Sequence, residues 1–300
     1  DTRAVLEAHT TSGERLYLDR NTGFAAAHNR LIARSRGEFY LALNPDVVLD
    51  RHYVARLVDA CLATPRAGSA TGKLLRRDPP GVIDSTGIVM LPSMRHLDRG
   101  ADEPDQGQFD MPGEVFGASG AAALYTRAML DDVRVEGEWF DEDFFAYRED
   151  ADLAWRAQLL GWRCRYEPAA VATHVRRGTP ERRADLPPEV NRGSVRNRFL
   201  LRIKNQTPRH ALAFLWPALW RDLQVVGYVL LREWTSLGAF ADLVRLLPRT
   251  LRKRRQIMAR RRAPDAASIG DAEALAAPSG AGADAPTQVH LMNAEARHAL

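Results

Sequence analysis

Cysteine is nearly absent from this chain: Cys61 and Cys164 are the two among 300 residues. Two thiols cannot build a disulfide framework, so small cross-linked secreted scaffolds are excluded and a reducing cytoplasm is the expected compartment. Long hydrophobic runs are missing as well. The most apolar segment, ALAFLWPALWRDLQVVGYVLLREW from Ala211, is broken by Arg221 and Asp222. It falls short of the roughly 20 residues that cross a bilayer. The first residues, DTRAVLEAHTT, lack the charged-then-apolar pattern of a leader. What remains is 45% hydrophobic, enough for one sizeable core with room for a smaller second region.

Against that background the stretch WFDEDFFAYREDAD, Trp139 to Asp152, stands out. Asp141, Glu142, Asp143, Glu149, Asp150 and Asp152 crowd into it, with Glu138 at its edge. Like charges this close are costly unless cations or a proton-transfer task use them. The continuation LAWRAQLLGWR puts Leu153, Ala157 and Leu160 on one helical face, with Gly161 at the expected C-terminus. Glu149 and Asp150 then sit in the first turn, where a helix dipole favours negative charge, and plain capping is the alternative to a catalytic role. Trp155 and Arg156 follow on the same helix. Trp155 suits a place in the core more than stacking on a ligand ring, and Arg156 suits bracing the carboxylates.

A second acidic signal is FYLALNPDVVL. Phe39 to Leu43 reads as a buried strand broken by Asn44, Pro45 and Asp46. Ligands of open α/β sheets collect at that end of the strands, so Asp46 is placed to hold Mg2+ or Mn2+ against a diphosphate, although Asn-Pro-Asp also makes an ordinary turn. GASGA, from Gly117 through Ser119 and Gly120 to Ala121, has no bulky side chain. It suits close backbone approach to a ligand or a tight packed loop. His174 in ATHV suits either a metal or a structural hydrogen bond.

Beyond residue 205 the character changes. Trp216, Leu219, Trp220 and Leu223 recur at helical spacing, and Arg252, Lys253, Arg254, Arg255, Arg260, Arg261 and Arg262 crowd the end. Aromatics beside a basic cluster suit a helix on an anionic membrane surface. A helical extension packed on the rest of the chain is the alternative. Nucleic acid is not the expected partner, because no recognition fold surrounds the cluster. From Ala263 the sequence is rich in Ala, Gly, Pro and scattered acids, which reads as a disordered tail. That tail holds one Arg and five acids, so the body is more basic than the chain's net +4 and favours an anionic partner.

The ordered set Asn21-Thr22-Gly23-Phe24 with Asn29, Leu43-Asn44-Pro45-Asp46, Gly117 to Ala121, Phe140-Asp141-Glu142, Glu149-Asp150 and His174 resembles family 2 glycosyltransferases, most of all the bacterial rhamnosyltransferase group. The resemblance covers roughly residues 15 to 205. It implies a GT-A-like, mostly parallel sheet flanked by helices over 1–205, followed by a basic amphipathic, membrane-proximal helical region over 206–262 and the tail over 263–300. By the same resemblance Asp150 is the general base, with Glu149 beside it. Asp46 is the last acid of the metal-binding element, with Asn44 in place of its first, and His174 completes the metal or diphosphate site. Asn21, Gly23 and Asn29 line the nucleotide pocket, and Lys73 falls near the donor.

The implied reaction is metal-dependent, inverting transfer of a sugar, with dTDP-rhamnose the favoured donor. The acceptor would be a glycan or polyprenyl-diphosphate-linked species of cell-surface polysaccharide, and the enzyme would be peripheral on the inner face of the cell membrane. Such a family opens with an apolar strand and a further acid that hold the nucleoside. No such strand precedes Asn21, so an N-terminally truncated chain is expected. Two rivals are a non-catalytic sugar-nucleotide or membrane-surface binding protein and a sugar-phosphate nucleotidyltransferase.

Overall fold

In a computed structural model that describes residues 2–9, 15–175 and 187–263, the apolar run Phe39–Leu43 forms strand β1, with Tyr40 and Ala42 turned into the core. Helices α1 (Thr2–His9) and α2 (Gly23–Arg34) precede it. Among the described residues the main sheet has seven strands. In order they are β1, β8 (Ala122–Thr126), β3 (Ala67–Arg76), β9 (Arg163–His174) and β2 (Val47–Leu49), with β4 (Ile83–Ser85) beside β3 and β7 (Gly113–Val115) beside β9. A separate ribbon pairs β5 (Ile88–Met90) with β6 (His96–Asp98).

This is an α/β architecture with a central sheet flanked by helices. The strand directions differ from the mostly parallel expectation. β8 lies antiparallel to both β1 and β3, and β2, β4 and β7 are antiparallel to their partners, which leaves β3–β9 as the parallel pair among the described residues. Parallel neighbours require a long crossover connection, usually a helix. Between β3 and β8 the chain forms strands and loops but no helix, so its strands return antiparallel.

Helix α3 (Tyr53–Leu62) covers one face of the sheet, with Tyr53, Leu57 and Cys61 against Leu74, Leu124 and Ala170. On the other face α2, α4 (Arg127–Val133) and α5 (Glu149–Leu159) bring Ile32, Met129, Leu130 and Leu153 to Tyr125, Phe140 and Tyr166. Leu153, Ala157 and Leu160 are all buried, as their spacing predicts, and Gly161 at φ +80° ends the helix.

The C-terminal helices are α6 (Pro188–Asn205), α7 (Pro208–Ala213), α8 (Leu215–Leu231) and α9 (Gly238–Ala259). They pack on α5 through Leu200, Leu201, Ala218 and Ile257, which meet Phe144 and Trp155. Much of the basic cluster is spent inside this packing. Lys253 is 1% exposed, and its ammonium lies 2.5 Å from Asp141, 2.9 Å from Glu138 and 3.0 Å from Asp143. Arg254 donates to the carbonyls of Ile203 and Gln206, while Arg260 and Arg262 bind Asp132 and Arg252 pairs with Glu136. The apolar stripe, in contrast, faces outward: Trp216, Leu219, Trp220 and Leu223 are exposed on α8, Trp216 by 78%. No helix among the described residues is long and apolar enough to cross a membrane. The tail from 264 lies outside the described residues.

Removing one partner of a buried ion pair leaves a charge uncompensated, at a cost of about 3–5 kcal/mol. Lys253→Met is therefore expected to lose about that much stability in urea unfolding. The exposed neighbour Arg255 should tolerate Ala at under about 0.5 kcal/mol. Equal effects of the two substitutions would contradict this placement of the cations.

Candidate active site

Strand β1 ends where Asn44, Pro45 and Asp46 turn the chain into β2. β2 pairs with the end of β9 so that Val47 stands opposite His174, and the Val175 N–H donates to the Asp46 carbonyl at 2.9 Å. This register brings His174 Nε2 to 3.4 Å from Asp46 Oδ1. The other ring nitrogen, Nδ1, is 2.7 Å from Oδ2 of Asp84 on β4. A carboxylate on one imidazole nitrogen fixes the ring's tautomer and aim and makes the opposite nitrogen a better ligand. Asp84, buried in IDS, carries no sequence signal that separates it from an ordinary strand acid.

The acidic stretch that carries Asp150 reaches this place through two adjacent residues of the GASGA loop. The Gly120 N–H donates to Asp150 Oδ2 at 3.0 Å, and the Ala121 carbonyl accepts from the Asn44 N–H at 2.9 Å. Asp150 and the Asn44–Asp46 turn thus hang from opposite ends of one short backbone bridge. The loop itself sits tight on α5, since a Cβ on Gly117 would come within 2.4 Å of the Ala154 Cβ. Ser119 is buried in the same loop.

Asp150 is half-buried, and its Oδ1 also accepts from the Ala151 N–H at 2.7 Å. Burial raises its pKa above the usual carboxylate value, the Gly120 N–H works against that rise, and the charge of Asp98 on β6 adds to it. Glu149 is more deeply buried, and its Oε2 has no hydrogen-bond partner among the described residues. Burial first, then the charge of Asp150, pushes its pKa well above 4.5. Asp152 is spent differently: Arg156 Nε lies 2.9 Å from it, Lys204 2.7 Å and Asn205 2.7 Å. Its neighbours therefore answer its charge, whereas Asp150 faces another acid.

The remaining predicted residues divide between the site's walls and its supports. Asn21 Oδ1 accepts from the Gly23 N–H at 2.9 Å, and Gly23 at φ +81° abuts Phe145, where a Cβ would lie 2.5 Å from its carbonyl oxygen. Both hold the start of α2 against the turn before Asp150. Asn29 is wholly engaged, donating to the Phe140 carbonyl at 2.8 Å and Glu142 at 3.0 Å and accepting from the Trp139 and Phe140 N–H groups. Lys73 holds Asp105 at 3.0 Å and Asp110 at 2.5 Å, which keeps its ammonium protonated above the usual lysine range against the pull of burial. Trp155 is fully buried, edge-on to Phe116, so the core takes it rather than a sugar. Arg156 is buried beside Asp152 and also donates to the carbonyls of Val133 and Trp139 at 2.6 Å each. It braces the helix to α4 and does not reach Glu149 or Asp150 by any hydrogen bond among the described residues.

Among the described residues no group of three or more His, Cys, Asp and Glu side chains is arranged to hold a metal by itself. Asp46 and His174, the latter backed by Asp84, are the two side chains here that could share a metal. That set fits a hard divalent cation whose other positions are filled by phosphate oxygens and water.

The α/β chain thus carries an Asp–His pair at one end of a short backbone bridge and an acid of raised pKa at the other. A family model described as glycosyl transferase family group 2 matches residues 42–258. The chain belongs to that family. Among curated proteins it is similar to the poly-beta-1,6-N-acetyl-D-glucosamine synthase of Staphylococcus aureus (strain COL), 25% identical over 154 residues, which is 51% of this chain and 34% of that protein. The chain thus spans about a third of the length of that relative. Among solved structures it is similar to GalNAc-T7 with UDP, GalNAc and Mn2+, with a TM-score of 0.47 and 11% identity over 76% of this chain and 48% of that one. It is also similar to the mannosyltransferase PcManGT of Pyrobaculum calidifontis in complex with GDP-Man and Mn2+, with a TM-score of 0.40 and 16% identity over 86% of this chain and 69% of that one.

The raised pKa of Glu149 has a sign that can be tested. Just above pH 4.5 the folded chain keeps a proton that the unfolded chain has lost, so stability falls as pH rises through that window. Glu149→Gln removes that proton's linkage. Its urea midpoint should decline less than wild type's between about pH 5 and 8. Parallel curves for the two proteins would mean that Glu149 ionises normally in the fold.

Proposed function

We propose that this chain carries the catalytic unit of a glycosyltransferase that moves a sugar from a nucleoside-diphosphate donor to a glycan or polyprenyl-diphosphate-linked acceptor of cell-surface polysaccharide. The observation that carries the reading is the shared bridge. Gly120 holds Asp150 and its neighbour Ala121 holds the Asn44–Asp46 turn, so a base and a diphosphate anchor stand in fixed relation.

In this reading Asp150 accepts the proton of the acceptor hydroxyl as that oxygen attacks the anomeric carbon, with inversion. A carboxyl whose pKa burial raises above the usual carboxylate value, yet still tethered by two backbone N–H groups, suits general-base work. Glu149, beside it in the first turn of α5, backs it as a buried acid of raised pKa rather than as a contact to the acceptor. Asp46 and His174 would hold Mg2+ or Mn2+, which neutralises charge on the leaving diphosphate. Asn21 and Gly23 border the donor side, while Asn29 and Lys73 act by holding the segments around it.

The donor favoured by the motif resemblance is dTDP-rhamnose. The similarity to a poly-N-acetylglucosamine synthase favours a second donor, UDP-N-acetylglucosamine. A panel of both, scored by release of the nucleoside diphosphate, separates the two. Neither a purely binding protein nor a nucleotidyltransferase is favoured by a base so placed. Attachment is proposed to be peripheral, on the inner face of the membrane, through the apolar face of α8 more than through the basic cluster.

Three outcomes are expected. Asp150→Asn should lower turnover by about 10² or more, the usual contribution of a positioned base. It should leave nucleotide binding in place, and transfer at the native rate would refute the base. Asp46→Ala should abolish the metal dependence of dTDP or UDP binding in calorimetry, and unchanged binding with and without manganese would remove Asp46 from the anchor. Replacing Trp216 and Trp220 by Ser together should release the chain from anionic vesicles even at low salt, where a basic patch alone would still bind.

A further inference from the structure

The turn that delivers Asp150 is backbone-strained, and one buried side chain answers the strain. Phe145, Tyr147 and Arg148 adopt φ of +63°, +67° and +75°, in a conformation that bulky L residues avoid. Asn197, in the middle of α6 and fully buried, points its amide into this turn. Its two Nδ2 hydrogens are shared among the carbonyls of Phe144 at 2.8 Å, Ala146 at 3.0 Å and Tyr147 at 2.9 Å. Each of these carbonyls belongs to the peptide unit just before a residue of positive φ. The three peptides rotated out of ordinary backbone are therefore the three that Asn197 holds.

The side chain has little freedom to do otherwise. Its Oδ1 accepts from Arg196 Nε at 3.1 Å and Nη2 at 2.9 Å, so the amide's orientation is set by donors on one side and carbonyls on the other. Arg196 also donates to the Asp143 carbonyl at 2.6 Å. The next residue, Arg198, fixes α6 itself by binding Asp222 of α8 at 3.0 Å and the Ser93 carbonyl at 3.0 Å. Across the turn Arg148 Nη1 meets His96 Nδ1 at 2.7 Å. The turn is thus gripped from α6 and from the β5–β6 ribbon, and Asp150 emerges two residues later to meet Gly120.

We propose that Asn197 is a positioning residue for glycosyl transfer. It holds the strained turn 144–148 so that the Asp150 carboxylate stays docked on the Gly120 N–H. This rests on the reading of Asp150 as the base.

Amide hydrogen exchange on the full chain tests it without substrate, because the Gly120 N–H reports directly on the Asp150 carboxylate. In Asn197→Ala, exchange at Gly120 and through 145–151 should speed up by about tenfold or more, the scale on which residues in sparsely populated φ/ψ regions relax. The amides of β3 and β9 should keep their protection. Adding Tyr147→Gly, which takes positive φ at little cost, should restore much of the Gly120 protection. Tyr147→Gly alone should leave it unchanged. Unaltered Gly120 exchange in Asn197→Ala overturns the proposal, as does an equal loss of protection throughout the sheet with no recovery from the glycine. If Asn197→Ala does not accumulate folded, Asn197→Ser keeps one donor and should give a smaller loss at the same amides. No loss there overturns the proposal equally. Turnover of Asp150→Asn with dTDP-rhamnose and UDP-N-acetylglucosamine judges the base separately, so a failed clamp and a failed base give different results.

Discussion

Asp141 lies buried between two ammonium groups, Lys204 from α6 and Lys253 from α9, and the rest of the site depends on that contact. Burial disfavours its charge, but the two lysines prevail and hold the carboxyl well below the usual range. A buried carboxylate with two cations resists the loss of either partner more than it adds net stability. Its effect is on arrangement. Lys253 also binds Glu138 and Asp143, and Lys204 also binds Asp152, so the two helices are fastened to the chain on both sides of the candidate base. The crowd of acids from Glu138 to Asp152 exists in the fold because helices more than fifty residues further along the sequence bring cations to it.

That fastening sorts the acids into two kinds. Glu138, Asp141, Asp143 and Asp152 face cations and Glu142 accepts from the Asn29 amide, and these serve the fold. Glu149 and Asp150 sit beside that network in the first turn of α5 with no cation hydrogen-bonded to either among the described residues, and burial raises the pKa of both above the usual carboxylate value. A sequence of similar charges thereby acquires one chemically distinct pair. The distinction is made by where Lys204 and Lys253 stop, not by any difference in the acids themselves.

Local patterns were legible in the sequence where local physics decides the outcome. The strand Phe39–Leu43, the helix opening at Glu149, its Leu153–Ala157–Leu160 face and the outward stripe Trp216–Leu223 all follow from periodicity and punctuation. What periodicity does not carry is the identity of a distant partner. Asn29 looks like a pocket residue until Phe140 and Glu142, over a hundred positions away, claim its amide. Lys73 looks like a donor-site cation until Asp105 and Asp110 reach it, and the basic run of α9 looks like surface until its lysine is found at Asp141. The Asp46–His174 pair was readable as two candidates, whereas Asp84 and Asn197 were not. Their roles arise from the β4–β3–β9 registers, which bring Asp84 to His174, and from the packing of α6 on a turn whose strain no composition reveals.

The family match bears on the same point. It runs from Ala42, inside β1, to Met258, inside α9, and so includes the helices that supply Lys204 and Lys253 along with the strands that carry Asp46 and His174. Had the basic helices been a detachable membrane module, their cations would have been free to face lipid headgroups. Instead Lys253, Arg254, Arg260 and Arg262 are engaged with acids and carbonyls of this same chain. The surface left on α8 is dominated by Trp and Leu, for which burial of apolar area rather than counter-ion attraction is the driving force. One helical region therefore does two separable things: its cations organise the acidic segment from within, and its aromatics are what it offers outward.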